Sequence, residues 1–192
     1  TFSKSLQFKN VDFAYNAGET VLNNVSFEIE KGEFVGLIGP SGAGKTTIVD
    51  LVLRLLQPSG GSILIDGSKV DSIRLDEWRK NIGYVSQDIF LMNDTISNNI
   101  SFYDDTISKD DMVRAAKMAN IYEFIESCKD GFDSMIGERG IMLSAGQRQR
   151  IVIARILARK PDILVLDEET SALDNESEVE IQKVIKNLKG KI

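Results

Sequence analysis

The chain has 192 residues, enough for one domain with a substantial core or for two small lobes sharing one. Its apolar (42%) and charged (27%) fractions are ordinary for a globular protein, and a net charge of −6 argues against a nucleic-acid binder, which would carry a basic face. A single cysteine, Cys128, rules out an internal disulfide, and no apolar run reaches the roughly 20 residues that cross a bilayer.

The first forty residues read as strands. Leu6, Phe8, Val11, Phe13 and Tyr15 are the bulky members of one alternating run, with a slip after Phe8 that predicts a bulge. Asn16 to Glu19 is a turn signal, Val21 to Ile29 alternates again, and Lys31-Gly32-Glu33 is a second turn. This opening predicts an antiparallel β lobe. Phe34 to Ile38 is a continuous apolar run, expected to form a strand buried on both faces. A helix is expected from about Lys45 to Leu56, ended by Pro58-Ser59-Gly60-Gly61, with strands at Ile63–Ile65 and Ile82–Val85. Trp78 and Tyr84 read as packing residues.

From about Gln87 to Lys160 the spacing is helical. Ser108 with Asp110 and Asp111 predicts one helix start, and Ser144 with Gln147 three residues on matches a capping box at another. Ile163 to Leu166 is a second buried-strand run, and Ile181, Val184, Ile185 and Leu188 space a last helix. The expected organisation is a β lobe plus phosphate-loop core (1–86), a helical subdomain (87–160) and a return to the core (161–192).

Two places carry chemistry. Gly39-Pro40-Ser41-Gly42-Ala43-Gly44-Lys45-Thr46 has two glycines at phosphate-loop spacing followed by Lys and Thr, between an apolar run and a helix. A triphosphate needs several N–H donors converging on one point, and small residues let the backbone close around it. Ser41, Gly42, Ala43, Gly44, Lys45, Thr46 and Thr47 are therefore the expected phosphate-binding residues. Lys45 supplies a cation for the β and γ phosphates, and the Thr46 hydroxyl suits Mg²⁺. The second place is Asp167-Glu168 at the end of an apolar strand, where open α/β sheets bind ligands. Asp167 suits Mg²⁺ and Glu168 suits the attacking water as base.

Between them lies Leu143-Ser144-Ala145-Gly146-Gln147-Arg148, which resembles the signature sequence of ABC ATPases. Gln87 resembles the Q-loop glutamine of that family, Ser171-Ala172-Leu173-Asp174 its D-loop, and Tyr15 stands where it often stacks an aromatic on adenine. The resemblance implies an α/β phosphate-loop NTPase core with an N-terminal antiparallel β lobe and an inserted helical subdomain. It implies ATP and Mg²⁺ as cofactors, with Gln87 near metal and water. It also implies a second cassette packed head to tail, so that Ser144, Gly146, Gln147 and Asp174 face the partner's nucleotide. Ser86 to Met92, Asn93 to Ile100 and Gly137-Glu138-Arg139-Gly140 are similar to exporter cassettes. A transmembrane domain is thus an expected partner, nucleic acid is not, and the expected location is the cytoplasmic face of a membrane. Two alternatives stay open: an ABC-type ATPase of a non-transport machine, and a nucleotide sensor without turnover.

Some positions depart from the pattern. Ala145 stands where the family has glycine, which is harmless if its backbone is helical and costly at positive φ. Glu169 adds a charge beside Asp167 and Glu168, and is expected to face solvent. Tyr15 shares its face with Phe13 and Val11, so core packing and purine stacking both stand as readings. The family's switch histidine has no counterpart, since the chain contains no histidine. The chain starts at Thr1 and is read as a piece of a longer polypeptide, truncated before that histidine and expected to turn over ATP negligibly alone.

Overall fold

Residues 2–16, 18–86, 88–167 and 183–184 are described by a computed structural model of the chain. They fall into two compact units, one centred on residues 1–82 and the other on 83–188. The expected last helix, spaced on Ile181 to Leu188, lies almost wholly outside the described residues.

In the first unit, β1 (Ser5–Ala14) lies between β2 (Thr20–Glu30) and β3 (Gly60–Ile65), antiparallel to both, and the two-residue β4 (Ser68–Lys69) follows β3. Leu6, Phe8, Val11 and Phe13 are buried, as the alternation requires. The Phe8 and Phe27 rings stack across the β1–β2 pair at 4.5 Å. The slip after Phe8 is a real irregularity. The register shifts between Phe8 and Val11, and Asn10 takes φ 49°. Gly61 faces that bulge, where a Cβ would lie 2.1 Å from the Asn10 carbonyl oxygen, so no side chain is admitted. Asp66, in the β3–β4 turn, clasps the start of β1. Burial opposes its charge, but the amides of Lys4, Ser3 and Ser5 and the Ser3 hydroxyl hold its carboxyl below the ordinary range.

The helix after the 39–44 glycine loop, α1 (Lys45–Val52), ends a turn earlier than its spacing predicts. Arg54 takes φ 53°, and the amides of Leu55 and Leu56 both turn back to the Asp50 carbonyl. The terminal carbonyls are claimed from α2 (Leu75–Lys80). The Trp78 indole donates to Val52 O at 2.8 Å, and the Arg79 guanidinium donates to Leu53 O and Arg54 O. Trp78 is buried, as expected of a packing residue.

The expected strand at Phe34–Ile38 is not formed. Residues 33–40 carry no regular structure, and Ile38 is 98% exposed. A strand exists by virtue of the ladder that satisfies its amides and carbonyls. Among the described residues no backbone pairs with 34–38. Among the described residues, the apolar run is therefore without the strand neighbours that would bury it.

In the second unit, β5 (Ile82–Val85) pairs with β6 (Ile163–Leu166), and four helices follow the expected helical spacing: α3 (Ile96–Ser101), α4 (Lys109–Met118), α5 (Tyr122–Ser127) and α6 (Ala145–Ala158). Their core is Ile96, Ile100, Ala115, Ala116, Ile121, Ile125, Ile136, Ile151, Ile153 and Leu157. Alanines on α4 let it lie close to α6. Gly83 in β5 does the same, since a Cβ there would lie 2.3 Å from Ile156 of α6. No helix among the described residues is long and apolar enough to cross a membrane.

Ser108 caps α4 in a reciprocal box with Asp111, and the Asp111 carboxylate also meets Lys160, just past α6, at 2.7 Å. The bonds from Lys160 and Ser108 bring Asp111 down to about 2, against an ordinary 3.8. A lowered carboxylate stabilises the fold above its unfolded pKa, and that contribution disappears as pH falls through the folded value. Asp111→Asn is therefore expected to lower the urea midpoint at pH 6, with the gap from the parent closing as pH falls from about 4 towards 2. A gap that stays constant with pH would contradict the clasp.

Candidate nucleotide-binding site

The loop between residues 39 and 45 is built by two glycines in the left-handed region, Gly42 at φ 80° and Gly44 at φ 85°. Gly44 is the N-cap of α1. A Cβ on it would lie 2.8 Å from Leu22 Cδ2 of β2, so both conformation and packing demand glycine. No side chain caps α1, and the first helical bond runs from Ile48 N to Gly44 O. The first-turn amides of α1 thus have no side-chain acceptor from a cap, and the helix dipole there favours an anion. The Lys45 ammonium lies folded over the loop, donating to Gly39 O at 2.7 Å and Pro40 O at 2.8 Å. These neutral acceptors hold it beside the place where a phosphate would sit, and anionic oxygens would compete well for it. Ser41, Gly42, Ala43 and Thr46 are exposed and Thr47 is buried. Uncapped amides, small residues and a tethered cation form a donor set that fits a polyphosphate, and the exposed Thr46 hydroxyl fits a hard cation that a polyphosphate carries.

Tyr15 sits at the edge of the β lobe, 56% exposed, with its ring edge-on to Phe13 at 4.9 Å. Its hydroxyl meets Thr47 Oγ1 at 3.1 Å, so the ring is anchored to the first turn of α1. An aromatic face open to solvent and tied to the start of α1 is suited to stacking. At 56% exposure the ring is not part of the buried core.

In the second unit Ser144 caps α6. Its hydroxyl accepts from Gln147 N at 3.2 Å, and the Gln147 side chain accepts from Ser144 N at 2.8 Å. Ala145 is the first helical residue and does not have positive φ, so its methyl group is carried without strain. Gly146 is buried. Asp167 follows β6, exposed, with its amide on Val85 O at 2.9 Å.

The family model described as "ABC transporter" matches residues 22–171. The chain belongs to the ABC transporter family. It is 49% identical over 187 residues to an "ATP-dependent lipid A-core flippase" of Haemophilus influenzae, covering 96% of this chain and 32% of that protein. It is 46% identical over 185 residues to "Heterocyst differentiation ATP-binding protein HepA" of Nostoc sp., covering 96% and 30%. A solved bacterial Atm1-family ABC exporter with ATP bound superposes with a TM-score of 0.83 at 41% identity, covering 97% of this chain and 32% of that one. The chain thus spans about a third of the length of these relatives. The matched stretch has the α/β fold of the family's ATP-binding domain.

For an ABC domain the described residues place much of the expected set but not all of it. Gln87, Glu168 and Asp174, together with Glu169, lie outside them. Lys45 and Thr46 belong to the first unit, and Ser144, Gly146, Gln147 and Asp167 to the second.

One residue escaped the sequence reading. Tyr84, read as packing, donates its hydroxyl to Asp167 Oδ2 at 3.0 Å. The available signal was strand pairing: β5 and β6 are both short, largely apolar runs, and pairing them brings the end of β5 beside Asp167, which follows β6.

Ser144→Ala removes half of the cap on α6. It is expected to cost about 1 kcal/mol, read as faster hydrogen exchange at the amides of Gly146 and Gln147. Unchanged exchange would mean the cap is not made in solution.

Proposed function

We propose that this chain binds Mg-ATP at the 39–47 loop and hydrolyses it as one of two cassettes that drive a membrane exporter. The observation that carries the reading is the uncapped start of α1 behind a glycine loop, with Lys45 held over it.

Each residue has a role that its chemistry allows. The amides from Gly42 to Thr47 take the β-phosphate oxygens, and Lys45 turns from the Gly39 and Pro40 carbonyls to the β and γ oxygens. Tyr15 stacks on the base. From the sequence and the family, Thr46, Asp167 and Gln87 would hold a magnesium ion, which would supply positive charge to the β- and γ-phosphate oxygens. Glu168 accepts a proton from the attacking water, and Gln87 orients that water. Ser144, Gly146 and Gln147 present the start of α6 to the nucleotide of the second cassette, with Asp174 beside them. ATP then holds two cassettes together until it is cleaved. A transmembrane domain turns that closure and release into transport, which puts the cassette at the cytoplasmic face of a membrane. The relatives, a flippase and an Atm1-family exporter among them, support this reading over a non-transport machine.

The test separates binding from turnover. Lys45→Ala is expected to weaken ATP binding by roughly 10- to 100-fold, the loss of a charge-assisted hydrogen bond, read with a fluorescent ATP analogue. Glu168→Gln is expected to keep that affinity and lose about 10²- to 10⁴-fold in turnover within the assembled transporter. ATP affinity indifferent to Lys45→Ala would overturn the site. Because Ala145 is helical, Ala145→Gly is expected to leave Mg-ATP-driven pairing of cassettes unchanged, and a large gain would show that the methyl group obstructs the nucleotide.

A further inference from the structure

Arg155 lies on α6, ten residues and so about 15 Å along the helix from Ala145, its first residue. Its guanidinium leaves its own helix entirely. Nε donates to Asn99 O at 2.7 Å, one terminal nitrogen to Asn99 Oδ1 at 3.2 Å, and the other to Phe90 O at 2.9 Å. The Phe102 ring covers it at 4.8 Å. Burial, then the neighbouring Arg159 charge, lowers its pKa to about 10, which leaves it cationic at neutral pH.

Asn99 is fully buried and wholly engaged. Its Oδ1 also accepts from Met92 N at 2.9 Å, and its Nδ2 donates to Met92 O at 3.1 Å and Thr95 O at 2.9 Å. One arginine therefore grips Phe90 directly and Met92 through Asn99. Leu91, between them, is buried and packs against Gly140, in the turn that precedes α6. A Cβ at Gly140 would lie 2.8 Å from Leu91 Cδ1 and 3.2 Å from Arg148 Cδ. Arg148 in turn donates to Leu143 O at 2.8 Å, just before the Ser144 cap.

The segment Phe90-Leu91-Met92 is thus tied to α6 through Arg155 and to the turn before α6 through Leu91. A single side chain reaches three acceptors on two stretches of chain because a guanidinium is a planar fork; an ammonium is a point donor and cannot replace it.

We propose that Arg155 is a positioning residue that locks the segment Phe90–Met92 to α6, so that displacement of that segment moves the Ser144–Gln147 helix start as one body. Its consequence for catalysis rests on the reading of that helix start as nucleotide-facing. A rigid link is what lets a shift in one place appear in the other without loss.

The experiment uses the whole chain with Cys128→Ser and spin labels at Phe90→Cys and Met142→Cys. Both positions are exposed, and a label at 90 leaves the carbonyl that Arg155 grips. The unaltered link is expected to give one narrow distance distribution. Arg155→Lys is expected to broaden it, and Phe102→Ala to broaden it less. ATP affinity at the 39–47 loop is expected to stay unchanged in both, while Mg-ATP-driven pairing of cassettes weakens about tenfold in Arg155→Lys. Distributions that superimpose on the parent's would overturn the proposal. If Arg155→Lys fails to fold, Phe102→Ala decides the question in the same way, since it removes a partly exposed ring and leaves the guanidinium. A parent that shows the narrow distribution but never pairs with Mg-ATP would refute the nucleotide-facing reading and leave the mechanical link standing.

Discussion

Helix starts leave amides without intrahelical acceptors, and that debt organises this molecule. At α4 and α6 it is met from within: Ser108 with Asp111, and Ser144 with Gln147, close reciprocal boxes. At α1 it is left open. The residue that would cap the helix is Gly44, which has no side chain, and the residues before it bend away through left-handed glycine geometry. A helix left uncapped loses stability that a cap would supply, about 1 kcal/mol. The arrangement is sensible when an anion supplies the missing acceptors, and Lys45 folded over the loop is positioned to join it.

The rest of the first unit holds that open end in place. Leu22 of β2 fills the space that a side chain at Gly44 would need, and Tyr15 reaches from β1 to Thr47. At the far end of α1, Trp78 and Arg79 take the last carbonyls. The helix is thus anchored at both ends by side chains from other elements, and its first-turn amides are left without a side-chain cap. In the second unit the same economy of donors appears at Arg155, where one guanidinium satisfies the carbonyls of Phe90 and Asn99, which lie outside α6.

Much of this was legible in the residues. Binary patterning placed β1 and β2, and the break in alternation after Phe8 located the bulge because a one-residue slip must be absorbed somewhere. Ser-x-x-Asp and Ser-x-x-Gln located two helix starts, since the cap is a local interaction within four residues. The glycine spacing located the loop. What failed to show was non-local. The end of α1 was placed a turn late because Arg54 turns left-handed and α2 supplies the terminating donors. The Phe34–Ile38 run was apolar enough for a buried strand, yet strand formation depends on a partner that composition does not name. Tyr84 looked like a packing residue because its link to Asp167 joins positions 83 residues apart. The roles of Gln87, Glu168 and Asp174 rest on sequence and family, since these residues lie outside the described set.

The central claim is that the amides opening α1 receive a triphosphate. The most direct test is the backbone amide spectrum of the isotopically labelled chain during titration with Mg-ATP and, separately, with adenosine. The account requires large shifts at Gly42, Gly44, Lys45, Thr46 and Thr47 with the nucleotide and none at those amides with the nucleoside, while Tyr15 responds to both. Shifts that spare these amides under Mg-ATP, or that adenosine reproduces, would contradict it.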